Sequence, residues 1–274
     1  LSEDWRKAGE TIGLVPTMGY FHQGHLSLME EARCENDRVV VSLFVNPTQF
    51  GPGEDFNIYP RDPAHDRRAA EEVGVDLIFN PNPEEMYPTD FQTYVEVTRV
   101  SQGLCGDSRP GHFKGVATIV TKLLNIVRPD RAYFGEKDAQ QLRVIQRMVR
   151  DLNIPVEIRP VKTIREEDGL AMSSRNSYLS TKERQAALIL SKSLFWAAER
   201  VREGENEVSM LKTGINELFQ AEPLIDLEYL EFRASEDLRP VSKVEGEVLI
   251  ALAARVGKTR LIDNITVRPV GKEG

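Results

Sequence analysis

Two histidines three residues apart, His22 and His25, stand in the segment Gly13-Leu-Val-Pro-Thr-Met-Gly-Tyr-Phe-His-Gln-Gly-His25, directly ahead of the run Leu26-Ser-Leu-Met-Glu-Glu-Ala32. A short apolar stretch, a turn with two glycines and then apolar residues at helical spacing form the layout of a strand-turn-helix cradle for a nucleotide. The unpaired N–H groups at such a helix start, with about half a positive charge, attract an anion, and residues three apart can face it together. Two blander readings of the same pair stay open: hydrogen-bonded loop histidines, or metal ligands. Zinc fits less well, because a site needs three or four ligands and the other histidines, His65 and His112, belong to unrelated segments.

Three further clusters have the residue types to complete such a site. In Phe134-Gly-Glu-Lys-Asp-Ala-Gln-Gln141, Lys137 offers a point charge for a phosphate. In the same run Asp138 offers an acceptor for hydroxyls or a metal-bound water, and Gln141 a bidentate amide for a small polar substrate. A solvated helix start with Asp138 as N-cap explains that run too. In Gly169-Leu-Ala-Met-Ser-Ser-Arg-Asn176, Ser173, Ser174 and Arg175 could close over phosphates and stabilise developing negative charge, or could belong to a polar linker. Phe44-Val-Asn-Pro-Thr-Gln-Phe50 brings Asn46 and Gln49 to the end of a strand-like run, although Asn-Pro is also a plain turn former. Val256-Gly-Lys-Thr259 imitates a P-loop ending, but Leu252 stands where that motif needs glycine, so it reads as a turn. Arg109-Pro-Gly-His-Phe113 reads equally as chemistry or as a Pro-Gly turn capping the next helix.

The elements that must position these groups follow from periodicity. Strands are expected at Ile12 to Val15, Arg38 to Asn46, Val75 to Phe79, Thr93 to Val97, Arg131 to Gly135 and Pro155 to Val161. Helices are expected at Leu26 to Cys34, Ala64 to Val73, Phe113 to Val127 and Asp138 to Asp151. The β-branched run from Arg38 marks a parallel strand covered on both faces, and strand and helix alternate as in right-handed βαβ units. Pro81, Pro83 and Pro88 are expected to break any helix, and Gly103 to Gly111 to form a glycine-rich loop. From Thr163 to Ser180 the chain is polar and irregular, as a hinge is. Beyond it come helices at Thr181 to Arg202 and Glu207 to Gln220, then strands at Asp226 to Phe232, Val248 to Ala254 and Arg260 to Val267. The expected class is α/β: a Rossmann-like parallel sheet over residues 1–162, followed by a smaller α+β lid domain over 163–274.

Composition bounds the partners. An apolar fraction of 41% over 274 residues supplies a core and argues against disorder. The formal net charge of −8 gives no general reason for nucleic acid or an anionic membrane to bind. Cys34 and Cys105 are the two cysteines, without CxxC spacing, and no signal sequence stands ahead of the first strand, so a reducing, cytoplasmic setting is expected. No run has the length of a membrane span. The chain opens at Leu1 in helix-like sequence from Ser2 to Glu10, so further residues are expected ahead of it.

Read together, the segments resemble a known family. They are Pro16-Thr-Met-Gly19 with His22-Gln-Gly-His25, Phe44-Val-Asn-Pro-Thr-Gln-Phe-Gly51, Tyr59-Pro-Arg61, Arg109-Pro-Gly-His-Phe113, Tyr133-Phe-Gly-Glu-Lys-Asp138 with Gln140-Gln141, and Met172-Ser-Ser-Arg-Asn176. In this order, from residue 13 to about residue 185, they look like the pantothenate synthetase (pantoate:beta-alanine ligase) family of the nucleotidyltransferase superfamily. The bulky Tyr20-Phe21 pair is a departure from the family turn that should affect local packing alone.

The resemblance implies that pantoate attacks the α-phosphate of ATP to give pantoyl adenylate and pyrophosphate, and that beta-alanine then takes the acyl group to give pantothenate and AMP. It implies ATP contacts at Met18, Gly19, Tyr20, Phe21, His22, Gln23, Gly24 and His25, at Gly135, Glu136, Lys137 and Asp138, at Ile164, and at Met172, Ser173, Ser174 and Arg175. His25 is the family's proton donor. His22, Lys137, Ser173, Ser174 and Arg175 share the catalytic work around the phosphates. Gln49 and Gln141 hold pantoate, Gln49 also lies near beta-alanine, and Asn46 is grouped with them. Magnesium is expected on the phosphates with no dedicated protein ligand, and a homodimer is implied. Beside a triphosphate a histidine, with an ordinary pKa of about 6.5, is drawn toward its cation, so His22 and His25 are expected to stabilise charge as well as move protons. Rival readings are another adenylyl or cytidylyl transferase, which would not need Gln49 and Gln141 together, and a nucleotide sensor that binds ATP and releases nothing.

Overall fold

The computed structural model describes residues 1–269, which divide into two compact units. The first comprises Leu1–Glu136 and Gln141–Ile164; the second comprises Lys137–Gln140 and the described residues from Arg165 onward.

The first unit is built on five parallel strands, β1 (Ile12–Thr17), β2 (Arg38–Leu43), β3 (Leu77–Phe79), β4 (Arg131–Gly135) and β5 (Glu157–Val161), in the order β3-β2-β1-β4-β5. The chain runs outward from β1 in one direction and later returns to build outward in the other. A topological switch therefore lies between β1 and β4, and their carboxyl ends open onto the crevice where such sheets collect ligands. Ile12, Leu14 and Val15 of β1 and Val39, Val40 and Val41 of β2 are fully buried, as strands covered on both faces require. The helices here are α1 (Ser2–Lys7), α2 (Gln23–Glu35), α3 (Pro63–Val73), α4 (Pro83–Met86), α5 (Leu104–Ser108), α6 (His112–Val127) and α7 (Ala139–Asp151), whose first two residues fall in the second unit.

The expected α/β class with a parallel sheet holds, and the departures have local causes. No strand forms at Thr93 to Val97, because the Val95 N–H donates to Thr118 Oγ1 on α6 at 3.0 Å instead of to a ladder. Pro83 starts a helix instead of breaking one: at the first helical position its missing N–H costs nothing, and Asn82 and Glu85 form a capping box around it. The loop expected from Gly103 to Gly111 contains α5, whose Leu104 and Cys105 are buried. β2 stops at Leu43, and Pro47–Gln49 form a 3₁₀ turn.

In the second unit, α8 (Thr181–Arg202) and α9 (Val208–Gln220) pack on an antiparallel sheet of β6 (Ile225–Ala234), β7 (Val248–Val256) and β8 (Thr259–Val267), in the order β6-β7-β8. A capping box of Ser180 and Glu183 starts α8. Leu190 and Leu194 of α8, Leu211 and Ile215 of α9, and Ile250 and Leu252 of β7 share one buried core. Val256-Gly-Lys-Thr259 is the β7–β8 hairpin, as its departure from the P-loop pattern foretold. The stretch after Ile164 is more ordered than its composition indicates: Arg165 bridges to Ala171, and Ser174–Tyr178 form a 3₁₀ turn. Among the described residues no helix is long and apolar enough to cross a membrane.

Candidate active site

The turn that leaves β1 is held by a carboxylate. Gly19 and Tyr20 both have left-handed backbone, with φ of 88° and 55°, a conformation that costs a non-glycine residue roughly 1–2 kcal/mol. The turn persists because Asp66 accepts from the Tyr20 N–H at 2.8 Å and from the Phe21 N–H at 2.7 Å. Asp66 is 1% exposed. It lies in the first turn of α3, where the helix dipole favours a negative charge. Behind it His65 Nε2 lies 3.2 Å from the Phe21 carbonyl, which can only accept, so the ring donates. The bulky turn residues thus do more than alter packing: Phe21 is a core residue and its backbone is gripped on both sides.

This grip delivers the chain to the start of α2. His22 is the N-cap, its Nδ1 accepting from the Gly24 N–H at 3.1 Å, and His25 Nδ1 accepts from the His22 N–H at 3.4 Å. The two rings lie with centroids 4.1 Å apart. Because each Nδ1 is used as an acceptor, the neutral ring carries its proton on Nε2. Nε2 of both histidines is therefore a donor without a second proton being taken up. Among the described residues no group of three or more His, Cys, Asp or Glu side chains could hold a metal ion.

Gln49 ends the 3₁₀ turn beyond β2, and its amide is oriented by Asn46. Asn46 Oδ1 accepts from Tyr87 Oη at 2.8 Å and Thr48 Oγ1 at 2.9 Å, so its Nδ2 points the other way, donating to Gln49 Oε1 at 3.0 Å and the Gly115 carbonyl at 3.2 Å. Gln49 Oε1 is thereby occupied, and Nε2 faces Met18, 3.2 Å from its Sδ. Burial pushes the Tyr87 phenol above its usual range, partly offset by the bond with Thr48, so Tyr87 stays a donor. Asn46 itself is 1% exposed with both ends of its amide engaged in the protein, one of them on Gln49.

The remaining expected residues are distributed between the units. Gly135 ends β4, Glu136 follows it, Gln141 is half-buried in the first turn of α7, and Ile164 closes the first unit. Lys137 and Asp138 belong to the second unit, where Asn264 Nδ2 donates to the Lys137 carbonyl at 2.8 Å and so anchors their segment to β8. Met172, Ser173, Ser174 and Arg175 form the other loop of that unit. Ser173 caps the 3₁₀ turn by accepting from the Arg175 N–H at 3.3 Å. The loop is braced below, where Arg165 holds Asp263 with two bonds of 2.7 and 2.9 Å and Asn176 donates to the Ala171 carbonyl at 3.1 Å.

Sequence reading passed over Asp66, Glu54 and Tyr87, and began the helix that carries Asp66 at Ala64. One signal was legible: Asp66, Ala69, Ala70 and Val73 fall at helical spacing, so a carboxylate lies on the apolar stripe of α3, an expensive place for a charge unless it is used.

A parallel sheet with its switch point beside an anion-ready helix start defines a nucleotide-binding, doubly wound α/β protein. The model of the pantoate-beta-alanine ligase family matches residues 1–266. A pantothenate synthetase of Heliobacterium modesticaldum is 58% identical over 266 residues, 97% of this chain and 95% of that one. The crystal structure of pantothenate synthetase from Thermus thermophilus superposes with a TM-score of 0.93 at 49% identity, covering 98% of each chain. That of a pantoate-beta-alanine ligase from Francisella tularensis, complexed with beta-gamma ATP and beta-alanine, gives 0.78 at 34% identity over 96% of this chain and 94% of that one. The chain belongs to the pantoate-beta-alanine ligase family.

Proposed function

We propose that this chain joins pantoate to beta-alanine with ATP, through a pantoyl-adenylate intermediate. Family membership supports the reading, as does the nucleotide and beta-alanine named for the Francisella relative. The observation that carries it is Gln49: an amide with its oxygen occupied and its N–H donors turned toward Met18, which lies in the turn leading to the histidine-capped helix. It is a donor positioned to hold an oxygen-rich acid close to an anion site.

In the first step a pantoate carboxylate oxygen bonds to the α-phosphorus and the bond to the β-phosphate breaks, releasing pyrophosphate. The Nε2 donors of His22 and His25 meet negative charge as it grows, and His25 is the proton donor at the phosphates. Met18, Gly19, Tyr20, Phe21, Gln23 and Gly24 bring backbone and side chains to ATP, joined by Gly135, Glu136 and Ile164. Lys137, Asp138, Met172, Ser173, Ser174 and Arg175 contribute as well, and the C-terminal domain expected over 163–274 acts as the lid. Gln49 and Gln141 hold pantoate, with Asn46 behind Gln49. Magnesium would be held by the nucleotide phosphates and water, with no dedicated protein ligand, and would offset phosphate charge. In the second step the neutral amine of beta-alanine attacks the acyl carbon, one amine proton passes to solvent and AMP leaves, a far better leaving group than oxide. The active species is a homodimer, and both cysteines being free thiols supports a reducing cytoplasmic setting.

Incubation with magnesium-ATP and pantoate, without beta-alanine, releases pyrophosphate and yields an adenylate detectable by mass. Lys137→Ala and His25→Ala each slow that release by a factor on the order of 10², as loss of a preorganised electrostatic contact does. ATP binding in calorimetry with no pyrophosphate formed would instead establish a sensor.

A further inference from the structure

We propose that Arg109 and His112 are positioning residues of the substrate site, clamping the main-chain carbonyl of Gln49; the proposal rests on Gln49 being a pantoate contact. Asn46 orients the Gln49 side chain, but a side chain is only as well placed as the backbone that carries it. That backbone receives two donors on one atom: His112 Nδ1 lies 2.9 Å and Arg109 Nη2 3.3 Å from the Gln49 carbonyl oxygen.

The protonation pattern follows from what each group can do. A carbonyl only accepts, so His112 Nδ1 carries the proton; a guanidinium only donates, so His112 Nε2, 3.1 Å from Arg109 Nη1, is the acceptor. Arg109 is fixed in turn by Glu54, with Nε to Oε1 at 2.8 Å and Nη2 to Oε2 at 2.7 Å. Burial resists ionisation of Glu54, yet the Arg109 fork brings its pKa down to about 2. The helix that carries His112 also approaches as closely as backbone permits: a Cβ on Gly115 would stand 2.4 Å from the Thr48 carbonyl oxygen and 2.7 Å from the Gln49 Cα.

Two donors from one run of chain, one of them tied to Glu54, thus converge on a single carbonyl. His112 alone would satisfy that carbonyl. A second donor tied into a half-buried ion pair adds little net stability but restricts where the carbonyl can sit, and small misplacements at a reacting centre are costly in rate. The Arg109-to-Phe113 run, read from sequence as chemistry or a turn, is neither alone: it is a turn whose side chains hold a substrate-binding residue in place.

The test is steady-state AMP formation with pantoate and ATP varied in turn, on Gln49→Ala, His112→Leu, His112→Asn and Arg109→Lys. His112→Leu removes the donor at similar bulk and raises the KM for pantoate about tenfold, the worth of one hydrogen bond, with the KM for ATP within about twofold. His112→Asn, whose Nδ2 occupies the Nδ1 position, recovers most of the loss. Arg109→Lys, which keeps the charge but not the fork, gives the same selective rise and serves if the leucine variant does not fold. A rise in pantoate KM for Gln49→Ala with none in the His112 and Arg109 variants overturns the clamp alone, as does an equal rise for both substrates. An unchanged pantoate KM in Gln49→Ala overturns the reading of Gln49 itself, and the clamp with it.

Discussion

Replacing Asp66 by asparagine tests whether a buried carboxylate, and not the glycine pattern, holds the nucleotide-facing turn. The carboxylate accepts from the Tyr20 and Phe21 N–H groups at 2.8 and 2.7 Å and is 1% exposed. Asparagine keeps one acceptor and turns an NH₂ toward the other N–H. The loss is one bond to a charged acceptor, roughly 1.5–3 kcal/mol, together with a largely buried N–H left facing a donor, roughly 1–3 kcal/mol. Part is recovered when Tyr20 leaves its φ of 55°, which releases about 1–2 kcal/mol. A net destabilisation of roughly 2–3 kcal/mol, the middle of the range these terms span, is expected, which for a unit of this size lowers the melting temperature by roughly 4–12 °C. The relaxed turn also misplaces the His22 cap, so the competent conformation is less populated and the KM for ATP rises on the order of tenfold or more. Asp62→Asn is the matched control: it removes the same charge from the same helix start, but asparagine caps a helix as well as aspartate does, so both readouts should stay near wild type. An Asp66→Asn protein with the melting temperature and ATP KM of the parent would refute the reasoning.

Two further outcomes follow from the geometry around Gln49. Gly115→Ala should destabilise despite adding helix propensity: the propensity gain is at most about 1 kcal/mol, whereas a Cβ 2.4 Å from the Thr48 carbonyl costs roughly 1–3 kcal/mol or more in displaced backbone; denaturant titration reads the net sign. Glu54 supplies a pH signature. Its folded pKa, depressed to about 2 by Arg109 against the cost of burial, lies below the unfolded value of about 4.3. Its contribution is therefore fully present above that range and is lost as pH falls toward about 2. The pair contributes on the order of 3 kcal/mol. Glu54→Gln should flatten the stability profile between these limits, and an unchanged acid slope would remove the ion pair from the account.

Much of this protein was legible in its sequence because the signals are local. The β-branched run at Val39 to Val41, the alternation of strand and helix and the two-histidine turn each arise within a few residues, where periodicity and turn chemistry act directly. So did the motifs from Met18 to His25 and from Met172 to Arg175 that carry the family resemblance. Only the tertiary structure decided what those residues lean on. Asp66 reaches the turn across 45 residues of sequence, Arg109 and His112 reach Gln49 across 60 and 63, and Tyr87 reaches Asn46 across 41. The false strand at Thr93 to Val97 was lost to the same cause, a hydrogen bond to Thr118 on a distant helix. Which unpaired group a backbone amide finds depends on the packing of elements far apart in the chain, and no local spacing encodes it. Sequence determined which groups could do the chemistry. The folded chain decided which carboxylate, ring and guanidinium hold those groups still.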